Sequence, residues 1–183
     1  GVGFADPARV DIRGKLTCGR DVFIDVNAVF EGDVTLGNGV RIEANNEIRD
    51  SALGDGVVVH PNCHVEGAIA GNDCEIGPFA RLRPGAELAA NVKVGKFVEI
   101  KKSTVAEGSK VNHLTYIGES EIGVNVNVGA GTITCNYDGA NKHHTRIGDG
   151  AFIGSGVNLV APVEVGNGAT IGAGSTITKN VPA

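Results

Sequence analysis

The sequence predicts an all-β fold, a parallel β-helix built from triangular coils. Aliphatic residues recur at every sixth position, the irregular steps of this series all fall at the same point of the repeat, and 28 of the 183 residues are glycine whereas tryptophan is absent. A six-residue period does not fit the 3.6-residue turn of an α-helix. Three six-residue segments make one 18-residue coil, so we expect aliphatic ladders enclosed by three short parallel sheets.

The six-residue series has 27 positions, of which 23 are Ile, Leu or Val, and taken in turn they fall on three faces. The first face receives Cys18, Leu36, Leu53, Ala70, Leu88, Val105, Ile122, Ile147 and Val165. The second face receives Ile24, Ile42, Val59, Ile76, Val94, Val111, Val128, Ile153 and Ile171. The third face receives Phe30, Ile48, Val65, Leu82, Ile100, Ile117, Thr134, Leu159 and Ile177. Every irregular step then follows the third face, so one corner absorbs all of them.

The series predicts about nine coils over residues 18–177, within a single domain spanning residues 1–183. Residues 1–17 lead into the coils, and residues 178–183 form a short tail. A thirteen-residue step after Thr134 predicts one inserted loop at residues 135–146. Glycine follows many of the inward positions, as at Gly95 and Gly129, where we expect corners that need permissive backbone angles.

Composition narrows the classes of function. The net charge of −5 argues against a nucleic-acid groove, and no segment approaches the roughly 20 apolar residues of a membrane span. We therefore expect neither nucleic acid nor a membrane as a partner, and a cytoplasmic location. The four cysteines are scattered without a CxxC pair, which favours neither a disulfide framework nor a zinc ribbon. Because methionine is absent, we expect the chain to be part of a longer polypeptide or a processed product.

Two columns of residues could carry chemistry, because stacked coils place equivalent positions about 4.8 Å apart. Arg83 and Lys101 each follow a third-face position in adjacent coils, where they could clamp one phosphate or carboxylate. A second column lies two residues past the second face and forms a shallow groove about 14 Å long. Its members are His113, Ala130, Ser155 and Ala173. Such a groove suits a narrow, extended ligand that ends at a general base.

The surroundings of His113 strengthen this interpretation. Glu99 and Tyr116 each precede a third-face position in successive coils, so a carboxylate, a phenol and an imidazole can meet near one corner. Glu99 could orient the imidazole of His113 and raise its basicity. The flat faces of the prism also favour side-by-side association, most simply as a three-fold homotrimer.

Two other functions of a three-sided β-helix, zinc catalysis and ice binding, fit the sequence poorly. A γ-type carbonic anhydrase needs three histidines that converge on zinc, but His60 and His64 fall on different faces and His113 lies about three coils away. His143 and His144 are expected to be exposed loop residues beside Lys142. No metal site is therefore expected. An ice-binding prism would need a Thr-x-Thr pair on every coil, and such pairs are isolated in this sequence.

Four segments resemble one known family. They are Gly77–Gly85 (GPFARLRPG), Val98–Lys102 (VEIKK), Asn112–Gly118 (NHLTYIG) and Asn127–Lys142 (NVGAGTITCNYDGANK). They are similar to the bacterial bifunctional N-acetylglucosamine-1-phosphate uridylyltransferases/glucosamine-1-phosphate N-acetyltransferases, within the hexapeptide-repeat acyltransferases. The resemblance covers essentially the whole chain, but only the carboxy-terminal acetyltransferase half of that family. By this resemblance, we expect this chain to lack the amino-terminal nucleotidyltransferase domain, which uses Mg²⁺ and UTP, and a carboxy-terminal arm that contacts acetyl-CoA.

The resemblance implies a left-handed β-helix that forms homotrimers with active sites between subunits. It implies transfer of an acetyl group from acetyl-CoA to the 2-amine of glucosamine-1-phosphate, a step toward UDP-N-acetylglucosamine for peptidoglycan and lipopolysaccharide. His113 is similar to the general base of the family. The sugar-phosphate residues would be Arg83, Lys101, Tyr116, Asn127 and Lys142, and the acetyl-CoA contacts Ala130, Asn136, Tyr137, Ser155 and Ala173. Another hexapeptide acyltransferase with a different acceptor, or a non-catalytic or metal-binding prism, stays open as an alternative.

Overall fold

The computed structural model describes residues 1–183 as a left-handed parallel β-helix of about ten coils. Short parallel strands stack on three faces, and each strand pairs with its counterparts in the coils before and after. The strands of the second face are Val2–Phe4, Val22–Ile24, Arg41–Ile42, Val58–Val59, Glu75–Ile76, Lys93–Lys96, Lys110–His113, Asn127–Val128, Phe152–Ile153 and Thr170–Ile171. This stack contains ten strands, one for each coil.

The other two faces are joined at the start of the chain. The long strands Val10–Cys18 and Ala28–Leu36 run around the corner from the third face to the first. The third face continues with Glu47–Arg49, His64–Glu66, Arg81–Leu82, Glu99–Lys101, Tyr116–Gly118, Ile133–Cys135, Asn158–Val160 and Thr176–Ile177. The first face continues with Ala52–Leu53, Ile69–Ala70, Ala86–Leu88, Ser103–Val105, Ser120–Ile122, Thr145–Ile147 and Val163–Val165. The 3₁₀ turn Pro7–Arg9 is the one helical segment, and no helix has the length and hydropathy needed to cross a membrane.

The predicted register is confirmed on all three faces. Ile122 pairs with Ile147 on the first face across the inserted loop, and Val128 pairs with Ile153 on the second. Of the 27 predicted inward positions, 25 are buried, and Cys18 and Ile177 near the two ends are half-buried. The residues two positions earlier are also buried and supply a second, smaller ladder that the six-residue series did not include. One continuous core of 41 residues therefore runs along the prism.

The ends of the β-helix differ from the prediction. Residues 1–17 do not merely lead into the coils but form one, since Phe4 pairs with Ile24 and Ile12 pairs with Phe30. The turn Pro7–Arg9 breaks the six-residue spacing between Phe4 and Ile12, which hides this coil from the periodicity. At the other end, the Val181 N–H donates to the carbonyl oxygen of Glu164 (2.8 Å), so the tail begins another coil.

Gly95 and Gly129 serve a different purpose from the one predicted. Gly95 and Gly129 do not have positive φ angles; these occur two residues later, at Phe97 (57°) and Gly131 (75°). A Cβ at Gly95 would overlap the carbonyl oxygen of Asn112, and one at Gly129 would overlap the backbone of Gly154. These glycines are therefore required by the close approach of successive coils rather than by the backbone angles of a turn.

The inserted loop is shorter than predicted and forms a hairpin. The strand before it ends at Cys135 and the strand after it begins at Thr145, so residues 136–144 make the connection. Within the loop, Tyr137 pairs with Lys142 as an antiparallel bridge. The Asp138 carboxylate accepts hydrogen bonds from the backbone N–H groups of Ala140 (2.8 Å) and Asn141 (2.6 Å). It also contacts the Nε2 atom of His143 (2.6 Å), which ties the two sides of the hairpin together.

Candidate active site

The first element of the site is the corner between the second and third faces, which we call the histidine edge (residues 78–80, 96–98, 113–115, 130–132, 155–157 and 173–175). A ladder of backbone hydrogen bonds joins its coils. Gly131 donates to the carbonyl oxygen of His113 (3.1 Å), Gly156 to that of Ala130 (2.7 Å) and Gly174 to that of Ser155 (2.8 Å). The predicted column of His113, Ala130, Ser155 and Ala173 is therefore present in consecutive coils.

The groove along this column is lined by small residues and backbone donors. Ala130 is half-buried, whereas Ser155 and Ala173 are exposed, so no large side chain fills the space beside them. The N–H groups of Ala130, Ser155 and Ala173 make no hydrogen bond within the chain. A ligand lying in the groove thus meets unpaired donors at the spacing of the coils, about 4.8 Å.

His113 stands at one end of this groove. It ends the strand Lys110–His113, where it pairs with Lys96 of the preceding coil, and its side chain is exposed. The imidazole makes no hydrogen bond or ion pair with any side chain of the same chain. Its carbonyl oxygen is held by Gly131 and by the Thr115 hydroxyl, which donates at 2.6 Å. The backbone is fixed, and the ring faces outward.

Glu99 does not meet His113 within one chain. The Glu99 carboxylate lies on the outer surface of the third face, 3.8 Å from the Nη1 atoms of both Arg81 and Arg83. Tyr116 is the strand neighbour of Glu99, but its hydroxyl points away from His113, toward Asn136. The carboxylate, phenol and imidazole predicted to meet at one corner therefore contact other groups and not one another within one chain.

The second element is the corner between the third and first faces, which we call the lysine edge (residues 83–86, 101–103, 118–120 and 135–145). Lys101 has only 12% of its side chain exposed, and its Nζ atom lies 3.2 Å from Oε1 of Glu119. The Glu119 carboxylate also accepts from the Nδ2 amide of Asn136, which is buried and lies 3.3 Å from the Tyr116 hydroxyl. Four polar side chains thus form one connected network.

The hairpin brings a second lysine to this network. The Nζ atom of Lys142 lies 5.5 Å from the centre of the Tyr137 ring, and both side chains are exposed. Proximity of Lys101 lowers the pKa of Lys142. The Lys142 amine and the Glu119 carboxylate raise the pKa of Lys101. Burial alone would raise the pKa of Glu119, but Asn136 and Lys101 outweigh burial and lower it. The lysine edge therefore holds crowded positive charge around one buried carboxylate.

Arg83 belongs to the same edge, one coil before Lys101. Its backbone N–H donates to the carbonyl oxygen of Ile100 (2.8 Å), as the predicted column of Arg83 and Lys101 requires. Asn127 does not share this position. It lies on the outer surface of the second face between Lys110 and Phe152, a different face from the lysines.

The predicted site residues thus occupy two edges of one prism. The histidine edge carries His113, Ala130, Ser155 and Ala173, and the lysine edge carries Arg83, Lys101, Asn136, Tyr137 and Lys142. The third face, with Glu99 and Tyr116 on its surface, lies between them. Sequence reasoning missed Glu119, which follows Gly118 and sits directly after Lys101 in the stack, its N–H donating to the Lys101 carbonyl oxygen (3.1 Å). The column of Arg83 and Lys101 continues with Gly118 in the next coil, so spacing alone does not mark Glu119.

The remaining histidines are held by carboxylates. His60 Nδ1 lies 3.1 Å from Glu43, and His64 lies between Glu47 (3.8 Å) and Glu66 (3.7 Å) on another face. In the loop region, His143 contacts Asp138 and is half-buried, while the exposed His144 lies 3.4 Å from Glu121. No cluster of three or more His, Cys, Asp or Glu side chains able to hold a metal ion occurs in the chain.

Comparison with known proteins finds similar sequences and similar folds. The family described as bacterial transferase hexapeptide (six repeats) matches residues 16–50 and 144–179. The chain is 63% identical over 182 residues to the bifunctional protein GlmU of Ralstonia pickettii, and 61% identical over 181 residues to that of Marinobacter nauticus. These matches cover 100% and 99% of this chain and 40% of each relative. The chain therefore spans about two fifths of the length of these proteins.

Solved structures support the fold. The UDP-N-acetylglucosamine acyltransferase of Arabidopsis superposes with a TM-score of 0.78 at 15% identity, covering 96% of this chain and 68% of the other. The corresponding protein of Campylobacter jejuni gives a TM-score of 0.59 at 20% identity, covering 87% and 67%. At these identities the likeness concerns the fold alone. Two parts of the chain match the bacterial transferase hexapeptide family, and the chain is similar to the carboxy-terminal part of the bifunctional GlmU proteins throughout its length.

Proposed function

We propose that this chain transfers the acetyl group of acetyl-CoA to the 2-amino group of glucosamine-1-phosphate, producing N-acetylglucosamine-1-phosphate. The proposal rests on the different chemistry of the histidine edge and the lysine edge. One presents an exposed, unpartnered imidazole at the end of a groove of small residues, and the other presents clustered cations. The close relatedness to bifunctional GlmU proteins favours this reaction over that of another hexapeptide acyltransferase.

The two edges can cooperate only between copies of the chain. In a three-fold trimer whose third faces turn toward the axis, the histidine edge of one copy lies beside the lysine edge of the next. Each of the three clefts then contains one imidazole, one groove and one cation cluster. Glu99 and Tyr116, on the third face, line the approach between copies. We therefore propose a homotrimer with its sites at the subunit interfaces.

An apolar ridge on the histidine edge supports this association. Phe79, Phe97 and Leu114 occupy the same corner of three successive coils, each more than half exposed, and the two phenyl rings stack at 5.4 Å. All three have positive φ angles, between 48° and 57°, which bulky side chains rarely adopt. A surface of large apolar side chains held in costly backbone geometry is typical of an interaction site.

The histidine edge provides the groove for acetyl-CoA. Ala130, Ser155 and Ala173 leave room for the narrow pantetheine arm, and their unpaired N–H groups can donate to its amide carbonyls. The thioester then lies near His113. The N–H of Ala130, or the Ser155 hydroxyl, can stabilise the negative charge that develops on the thioester oxygen.

The lysine edge provides the site for the acceptor. Lys101, Lys142 and Arg83 carry positive charge toward the sugar phosphate, and local charge of this kind outweighs the net negative charge of the chain. The neutral 2-amine attacks the carbonyl carbon of the thioester, and His113 takes the proton that the nitrogen loses as the C–N bond forms. The C–S bond then breaks, and the proton passes from His113 to the sulfur of the departing CoA. A positioned general base of this type contributes roughly 10²–10⁴-fold to the rate.

We place the reaction in the cytoplasm, on the route to UDP-N-acetylglucosamine, with no requirement for a metal ion in this step. Mg²⁺ and UTP belong to uridylyl transfer, which the remaining part of a bifunctional relative would perform.

Mass spectrometry of CoA release tests the function without interference from the four free cysteines. Wild-type protein is incubated with acetyl-CoA and with glucosamine-1-phosphate, glucosamine or no acceptor. We expect release that depends on glucosamine-1-phosphate, falls about 10²–10⁴-fold in His113→Ala and is unchanged in His60→Ala. Equal release with glucosamine would contradict the sugar-phosphate assignment, and full activity of His113→Ala would contradict the general base.

A further inference from the structure

Glu119 has no role in the reaction as described, yet it lies at the centre of the lysine edge. Its side chain is 16% exposed. Two groups of the site contact its carboxylate, the Lys101 ammonium at 3.2 Å and the Asn136 amide. Through Asn136 it is connected to the Tyr116 hydroxyl.

The backbone at Glu119 has the geometry of its corner. The residue has a φ angle of 44°, in the left-handed region that favours glycine. Lys102 stands at the same corner one coil earlier with a φ angle of 43°, and Gly85 and Gly67 stand there two and three coils earlier at 83° and 56°. Both glycine and longer side chains therefore occur at this corner, and what distinguishes Glu119 is the contact of its carboxylate with Lys101 and Asn136.

We infer that Glu119 is a positioning residue for acceptor binding, whose carboxylate holds the Lys101 ammonium and the Asn136 amide in fixed places and so orders the surface that receives the sugar phosphate. The inference rests on the proposed function, because it assigns the acceptor phosphate to this edge. It adds a residue that no motif in the sequence marked.

A carboxylate beside a phosphate site has two opposing effects. It repels the incoming anion, which weakens binding. It also fixes the long Lys101 side chain and offsets the repulsion between Lys101 and Lys142, whose pKa values shift in opposite directions. Ordering one long side chain costs conformational entropy when it must happen at the moment of binding. In this proposal, ordering of the Lys101 side chain strengthens phosphate binding by more than the repulsion from Glu119 weakens it.

Two substitutions separate these effects. Glu119→Ala removes both the charge and the acceptor oxygens, whereas Glu119→Gln removes the charge but keeps one oxygen that can accept from Lys101 or Asn136. Glu121→Ala is the matched control, because Glu121 lies two residues away on the first face, paired with Arg146 and His144.

Steady-state kinetics of acetyl transfer provide the first readout. For Glu119→Ala we expect the KM for glucosamine-1-phosphate to rise about tenfold or more, with kcat and the KM for acetyl-CoA within about threefold of wild type. Glu119→Gln should recover most of the loss, and Glu121→Ala should resemble wild type. Tighter acceptor binding in both Glu119 variants would show that repulsion dominates and would overturn the inference. A parallel loss of kcat and of affinity for acetyl-CoA would indicate a merely structural role and would overturn it as well.

Calorimetric titration with inorganic phosphate provides a second readout that needs no turnover. The inference predicts the same ranking for phosphate affinity, with Glu119→Ala weakest and Glu119→Gln close to wild type. If acetyl transfer to glucosamine-1-phosphate fails but this ranking holds, the proposed acceptor is wrong and the role of Glu119 stands. Equal phosphate affinity in all variants would contradict the role of Glu119 whatever the acceptor.

Discussion

The Gly131 N–H donates to the carbonyl oxygen of His113 at 3.1 Å, which places Ala130 directly after His113 in the stack of coils. The backbone of the proposed base is therefore held by the Gly131 N–H and the Thr115 hydroxyl, and no contact of the imidazole itself is used. This arrangement leaves the imidazole free to move a proton while its position relative to the groove stays constant.

The width of the groove gives the first prediction. Ala130→Leu should raise the KM for acetyl-CoA by at least about tenfold, because the larger side chain occupies the space proposed for the pantetheine arm. The KM for glucosamine-1-phosphate should change little. Steady-state kinetics with each substrate varied in turn measure both values. Ala52→Leu, at an exposed position of the first face, is the control. An unchanged KM for acetyl-CoA would place the cofactor elsewhere.

The apolar ridge gives the second prediction. The double variant Phe97→Asn/Leu114→Asn should weaken trimer formation, because it removes exposed apolar surface that the partner would cover. The isolated fold should not suffer, since asparagine adopts positive φ angles more readily than bulky residues do. Sedimentation velocity measures the oligomer, and circular dichroism reports the strand content. Ile69→Asn, an exposed change on the first face, should leave the trimer intact. A stable trimer of the double variant would refute the role of the ridge.

The hairpin gives a prediction about pH. The backbone N–H of Asn141, followed by His143 and Ala140, holds the pKa of Asp138 well below its usual range. Because the folded value is depressed, the stabilisation of the hairpin is fully present above the unfolded pKa of about 3.9 and is lost as the pH falls through the folded value. Hydrogen exchange at Asn141 should thus show protection that is constant from pH 7 to pH 5.

The Asp138→Asn variant checks the same contact at neutral pH. We expect faster exchange across residues 136–144 and a higher KM for the acceptor, because Lys142 is carried by this hairpin. Asp33→Asn alters an exposed carboxylate outside the site and should change neither value. If exchange in the hairpin were unaffected by Asp138→Asn, other contacts would be holding the loop.

Most of the fold could be predicted because each coil repeats the same physical requirement, an aliphatic residue turned into a narrow core every six positions. The coil formed by residues 1–17 escaped this reasoning, since a 3₁₀ turn alters the spacing and Ile12 and Phe4 are partly exposed at the open end. The glycines at Gly95 and Gly129 were correctly associated with corners but for the wrong reason. The sequence shows that glycine recurs at these positions, but it does not show whether a backbone angle or the close packing of coils requires it.

The site was predictable only where its residues share a column. His113 and Ala130 stand at equal offsets from second-face positions, so spacing alone places them together. Lys101 lies one residue after its third-face position, whereas Glu119 lies two residues after its own. Their contact depends on the directions of the two side chains, which the spacing of residues does not reveal. The separation of His113 from Lys101 follows from the width of the third face and gives the main reason to propose sites between chains.

Mixed trimers test this central claim most directly. His113→Ala damages only the histidine edge and Lys101→Ala only the lysine edge, so each variant alone should be nearly inactive. When the two are unfolded, mixed in equal amounts and refolded together, a cleft is intact wherever the histidine edge of a Lys101→Ala copy meets the lysine edge of a His113→Ala copy. Random assembly predicts intact sites at about one quarter of the clefts, and therefore about a quarter of wild-type acetyl transfer. A mixture no more active than its separate components would contradict a site shared between copies.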